Sequence, residues 1–175
     1  MKVLITAFEP FNKEIINYSY EVMKLINTDT KVLLNVVYDE CYEQLKKICN
    51  LEKYDLIVAM GEARNRVKLT LETLAKNIKT AKIPDNNGNI FECKKIIDGG
   101  IEVLETKVEY SKVKDYISFS NDAGTFVCNN LYYHLLNDFP KKSLFIHIPN
   151  CYESKEEYIK HCKTISKIIE ILTKI

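Results

Sequence analysis

The sequence predicts an α/β layered fold, a largely parallel sheet with helices on both faces. Three observations predict it. Nearly continuous apolar runs recur at residues 3–5, 32–37, 56–60 and 144–148, as expected of strands buried on both faces. Segments with helical spacing lie between them. No repeat, low-complexity tract or linker divides the 175 residues, a length that suits one domain with one sizeable core.

Each element along the chain has its own local signal. After the first two runs, Cys41, Leu45, Ile48 and Cys49 mark one helical stripe, with Asp39 placed to cap it. Residues 66–72 (RVKLTLE) alternate instead. Val67, Leu69 and Leu71 fall on one face and Lys68, Thr70 and Glu72 on the other, the pattern of a half-buried strand with one polar side. Residues 83–89 (IPDNNGN) are a dense turn signal, placed to act as a substrate lid or clamp. Residues 117–119 lead through a polar turn into a helix in which Leu131, Leu135 and Phe139 recur until Pro140, with Thr125 as its expected cap. In the last helix Tyr158, Cys162, Ile165, Ile169 and Leu172 form one stripe, and Ser154 and Glu157 make a capping box.

Composition excludes several classes. Hydrophobic residues make up 46% and charged ones 28%, as in an ordinary globular domain. No run of eighteen apolar residues offers a membrane span, and the first residues do not read as a signal peptide. Net charge is +1, and Arg64 and Arg66 are the only arginines, which argues against a nucleic-acid partner. The six cysteines show no CxxC pair and no clustering with His, so they are expected to be reduced thiols in the cytoplasm with no zinc site.

Most of the chemistry-bearing side chains have bland readings. Cys41, Cys49 and Cys162 lie on apolar stripes; His134 and His161 lie on helices; Cys93 and Cys151 have no supporting pattern. Cys128 has two readings. It is either a buried residue under a tight turn or a nucleophile in the first turn of a helix, where free N–H groups stabilise a thiolate. His147 sits near the carboxyl end of a buried strand, where open α/β sheets place their sites, and its alternative is a core histidine. Glu72 reads by default as a solvated glutamate, and Glu62, Asp85 and Asp122 compete with it for any carboxylate role.

Five segments then occur in a recognisable order: TAFEPF (6–11), GEARNRVKLTLETLAKN (61–77), IPDN (83–86), SNDAGTFVCN (120–129) and FIHIP (145–149). With them the sequence resembles pyroglutamyl peptidase I, a cysteine peptidase family, over nearly its whole length. The resemblance implies a three-layer α/β/α, phosphorylase/hydrolase-like fold over residues 1–175. It implies removal of N-terminal 5-oxoproline from peptides, without metal or organic cofactor, by a cytoplasmic enzyme acting alone or as a homo-oligomer. By motif, the nucleophile falls on Cys128, the general base on His147 and the orienting carboxylate on Glu72. The lactam ring would be cradled by Phe8, Phe11, Asn17, Ile83, Phe126 and Val127.

The chain departs from the family pattern at several positions. Ala7, Asn12, Lys13, Arg64 and Asn65 stand where the family usually has Gly, Thr73 where it has Arg, and Glu62 where it has Gln. An ionised Glu only accepts hydrogen bonds, so Glu62 at the lactam edge would bond the ring N–H and repel its carbonyl. The alternatives are therefore a diverged homologue with another N-terminal amide substrate, or a catalytically weak lactam- or peptide-binding protein.

Overall fold

The computed structural model describes residues 1–149 and 155–174. The strands are β1 (Val3–Phe8), β2 (Thr30–Leu34), β3 (Leu56–Ala63), β4 (Thr70–Glu72), β5 (Leu74–Lys76), β6 (Val103–Glu105), β7 (Ser118–Ser120) and β8 (Ser143–Pro149). The helices are α1 (Tyr18–Leu25), α2 (Glu40–Ile48), α3 (Val127–Asp138) and α4 (Lys155–Thr173). Among the described residues, six strands form one sheet in the order β2–β1–β3–β8–β4–β7, and β5 pairs with β6 in a second. Strands β2, β1, β3 and β8 run parallel, whereas β4 is antiparallel to β8 and carries β7 parallel to itself.

Alternation along the buried strands divides the core in two. On one face Leu4, Phe8, Ile57, Ala59 and Phe145 pack against Cys41, Tyr42 and Leu45 of α2 and Leu131, Tyr132 and Leu135 of α3. On the other, Val3, Ile5, Val58, Met60, Leu144 and Ile146 pack against Val22 and Met23 of α1 and Ile165 and Ile168 of α4. Since successive side chains of a strand point to opposite faces, strands so covered must be apolar throughout. The expected three layers and largely parallel sheet are both present.

Four local expectations are corrected. The strand over 66–72 shrinks to Thr70–Glu72; Val67 lies outside it and is 83% exposed. Its polar side is no solvated face, because β4 lies between β8 and β7 with α3 against it, and Thr70 and Glu72 are both buried. Asp39 occupies the cap position of α2 but makes no capping bond there. Its carboxylate instead accepts from Asn130 and pairs with Lys79 and His134. Burial opposes the charge, but these partners hold the carboxyl well below its usual range. Phe126, not Thr125, is the cap residue of α3; the Thr125 hydroxyl donates to the Thr80 carbonyl. The capping box of α4 and Cys151 fall partly or wholly outside the described residues.

Candidate active site

The carboxyl end of the sheet and the start of α3 enclose a cavity of about 330 Å³. Its floor is set by strand register. Gly61 of β3 pairs with His147 of β8, and Thr70 of β4 pairs with His147 from the other side. Glu72, two pairs further along β4, lies opposite Phe145. Residues directly opposed across a sheet share a face, so His147 and Glu72 both face α3. Glu72 Oε1 lies 2.8 Å from His147 Nδ1. Carboxylate and imidazole are almost wholly buried, at 0% and 7% side-chain exposure.

Cys128 comes from the second residue of α3, within the turn whose amide N–H groups have no intrahelical acceptor. Its sulfur lies over Gly61. A Cβ at Gly61 would come within 2.5 Å of Cys128 Sγ and 2.9 Å of the Phe145 ring, so only glycine leaves room there. One turn further along α3, the Tyr132 hydroxyl donates to the Glu72 carbonyl at 2.8 Å and ties the helix to β4. Burial pushes the Cys128 thiol up to about 12, and the charges of Glu72 and Glu62 add to the shift. Burial thus opposes the thiolate that the free N–H groups at the helix start would favour.

Phe8, Phe11, Phe126 and Val127 give the cavity an apolar wall. Phe11 and Phe126 meet at 5.8 Å between ring centroids, and Tyr38 supports Phe126 edge-on from behind. Asn17 also lines the cavity, but its amide is engaged: Oδ1 accepts from the Ser19 backbone at 3.0 Å as the cap of α1, and Nδ2 donates to the Glu9 carbonyl. Glu62 lines it with a side chain only 2% exposed. Its Oε2 accepts the Tyr18 N–H at 2.9 Å, at the positive end of α1, and Arg64 Nε lies 3.8 Å from Oε1.

Ile83 is not brought to the cavity wall. The turn that follows it buttresses the site from outside. Asp85 is buried and gathers the backbone N–H groups of Tyr38, Asn87 and Asn89, while Asn86 donates to Glu9 and to the Pro10 carbonyl beside Phe11. Asp122 lines the cavity with its carboxylate paired to Lys76. Of the four candidate carboxylates, Glu72 is the one with its Oε1 2.8 Å from His147 Nδ1 among the contacts described above.

Two lining residues carry no clear sequence signal. Val36 belongs to an apolar run that outlasts its strand, because β2 ends at Leu34. Arg66 places Nη2 2.8 Å from Glu72 Oε1, and contacts the Ser120 hydroxyl and the Asp122 carbonyl at the same distance. Its position six residues before Glu72 is the one available signal, visible only once the strand is known to be short. Among the described residues, no group of three or more His, Cys, Asp or Glu side chains is arranged to hold a metal ion, and no helix is long and apolar enough to cross a membrane.

Residues 1–170 match the family model described as pyroglutamyl peptidase. The chain is 35% identical over 167 residues to a pyrrolidone-carboxylate peptidase of Thermosipho africanus, an alignment covering 85% of this chain and 82% of that relative. Against the enzyme of the same name from Brachyspira hyodysenteriae the identity is 36%, with 85% and 83% covered. Among solved structures, pyroglutamyl peptidase I of Bacillus amyloliquefaciens superposes with a TM-score of 0.84 at 27% identity, covering 99% of this chain and 97% of the other. The pyrrolidone carboxyl peptidase of Fervidobacterium islandicum gives 0.83 at 30% identity, with 97% of each chain covered.

Proposed function

Because the chain belongs to the pyroglutamyl peptidase family, we propose that it is a cysteine peptidase that hydrolyses the amide bond after an N-terminal pyroglutamyl residue. The observation that carries this reading is the buried Glu72–His147 contact on the floor of the cavity that also exposes Cys128. Engaging Nδ1 with Glu72 leaves Nε2 of His147 for the reacting groups.

With the thiol held near 12, attack and proton transfer are coupled. Cys128 Sγ adds to the pyroglutamyl carbonyl as His147 takes the thiol proton. The tetrahedral oxyanion is met by the Cys128 backbone N–H at the start of α3. His147 then gives its proton to the departing amine, and the C–N bond breaks to leave a thioester. In the second half, His147 takes a proton from water, hydroxide adds to the thioester, and pyroglutamate leaves as the thiol is restored. Glu72 keeps the imidazole oriented and offsets its charge while it is protonated. Phe8, Phe11, Phe126 and Val127 take the apolar faces of the lactam ring, whose flat shape suits aromatic contact. The thiol chemistry fits a reducing cytoplasmic location, and any homo-oligomer would show directly in light scattering.

The test is release of a fluorescent amine from a pyroglutamyl amide, under reducing conditions at neutral pH. Turnover by wild type that Cys128→Ala abolishes supports the proposal; alanyl and prolyl amides serve as controls. A second reading, a shifted preference at the ring site, is favoured by the buried carboxylate of Glu62 in the cavity wall. It predicts weak pyroglutamyl turnover that Glu62→Gln raises, whereas turnover of no amide by either protein would leave a binding role.

A further inference from the structure

Glu72 has an unusual distribution of partners. Its Oε1 contacts both His147 Nδ1 and Arg66 Nη2, each at 2.8 Å, while its buried Oε2 has no hydrogen-bond partner among the described residues. Arg66 is the cation that makes a fully buried carboxylate tolerable, since a buried charge with no counter-charge is costly. It is also fixed in place. The same guanidinium nitrogen reaches Ser120 at the end of β7 and the Asp122 carbonyl in the connection leading to Cys128.

The geometry points to Arg66 as a positioning residue that shares the Glu72 carboxylate with His147, so that the carboxylate is not committed to the imidazole alone. This inference rests on the peptidase reading of the site. Its basis is electrostatic. A carboxylate committed to His147 alone draws a proton onto the imidazole, and an imidazolium cannot accept the Cys128 proton. A guanidinium on the same oxygen weakens that pull and opposes a second positive charge nearby. The other ionisable groups described around this face of His147 are Cys128 and Tyr132 from α3, Glu62 at the end of β3, Arg64 just after it and Asp122 from the connection before α3. Glu62 is engaged by Tyr18 and Arg64, and Asp122 by Lys76, so both are already answered by donors of their own.

The test compares wild type with two neutral variants, Arg66→Gln and Arg66→Met, and the charge-conserving Arg66→Lys. Two pH profiles are read for each: kcat/KM on a pyroglutamyl amide, and alkylation of Cys128 by iodoacetamide, resolved by peptide mass spectrometry. The neutral variants should move the acid limb of both profiles upward by about one pH unit, the scale of a nearby charge. Arg66→Lys should lose rate, because it lacks the fork, while keeping the acid limb of wild type. An acid limb unmoved in whichever neutral variant folds, with only rate or Tm lowered, would reduce Arg66 to a structural bracket and overturn the inference. A shift of equal size in Arg66→Lys would overturn it too. If wild type turns over no pyroglutamyl amide, the functional reading fails, yet the alkylation profiles still decide the role of Arg66.

Discussion

The floor of the cavity, with Gly61, Glu72, Cys128 and His147, comes from strand interiors and the first turn of a helix; its rim comes from the connection after β1 and the end of β3. On the floor Gly61, Glu72 and His147 are set by sheet register, and Cys128 by the first turn of α3 packed over Gly61. The rim tolerates change. Asn12 and Lys13, where the family pattern has glycines, take the left-handed backbone that glycine favours, with φ of 52° and 63°. Arg64, also at a usual glycine, reaches across to Glu14. Most departures from the family pattern gather here, while Glu72, Cys128 and His147 beneath keep the residue types of that pattern. One cavity can thus keep its reaction while its fit to substrate drifts.

The sharpest break of this contrast is on the floor. Glu72→Gln should lower kcat by roughly 10³ to 10⁴, the scale seen when the carboxylate of such a triad is neutralised, with KM little changed in steady-state assays. A fall of less than tenfold would mean that Glu72 is scaffold only. Next comes Gly61→Ala. The added methyl would meet Cys128 Sγ at 2.5 Å, and a sulfur displaced by about 1 Å should cost on the order of a hundredfold in rate. Alkylation of Cys128 in the folded variant reports the displacement directly.

The thiol supplies a pH prediction. Its pKa is raised by burial to about 12, so without a base nearby it stays protonated at neutral pH. In His147→Ala, alkylation of Cys128 should therefore be nearly absent at pH 7 and climb only as pH approaches 12. A raised thiol also means that its neutral form favours folding at and below neutral pH, an advantage lost as pH rises through the alkaline range.

Effects at the rim should be smaller. Glu62→Gln keeps the shape of the side chain and removes its charge, and should raise kcat/KM on a pyroglutamyl amide several-fold by ending repulsion of the lactam carbonyl. A loss would show instead that the Tyr18 contact needs a carboxylate. Smallest is Lys13→Gly, which should stabilise the protein by about 1 kcal/mol by relieving left-handed backbone at a residue with a Cβ. Its Tm should rise with turnover unchanged.

Much of this arrangement is legible in the amino-acid sequence. Cys128 and His147 stand out because each sits at an element boundary, and boundaries have local signals: a turn leading into a helix, a strand stopped by Pro149. Glu72 is harder to find. The alternation at 66–72 describes a two-sided strand, but whether the second side meets water or a helix depends on partners far along the chain, and His147 is 75 residues away. Its site role follows from resemblance rather than from pattern. Arg66 leaves almost no trace, since its three contacts belong to β4, β7 and the connection before α3, which only the folded sheet brings together. The cap expected of Asp39 fails for a similar reason: Lys79, Asn130 and His134 compete for its carboxylate from elsewhere in the fold.

Helix α3 does more than present a thiol. Asn129 clasps the backbone of Lys76 and Ile78, Asn130 holds Asp39, Tyr132 holds Glu72, and Tyr133 donates to the Ile101 carbonyl. Side chains within its first two turns thereby fasten four separate stretches of chain. Such a helix has no cheap way to fray on its own. Its amides should resist hydrogen exchange until the whole molecule opens, and thermal loss of activity should coincide with global melting rather than precede it. Substrate must then enter and leave by movement of the surrounding loops, with the reactive sulfur held on the part of the protein least free to move.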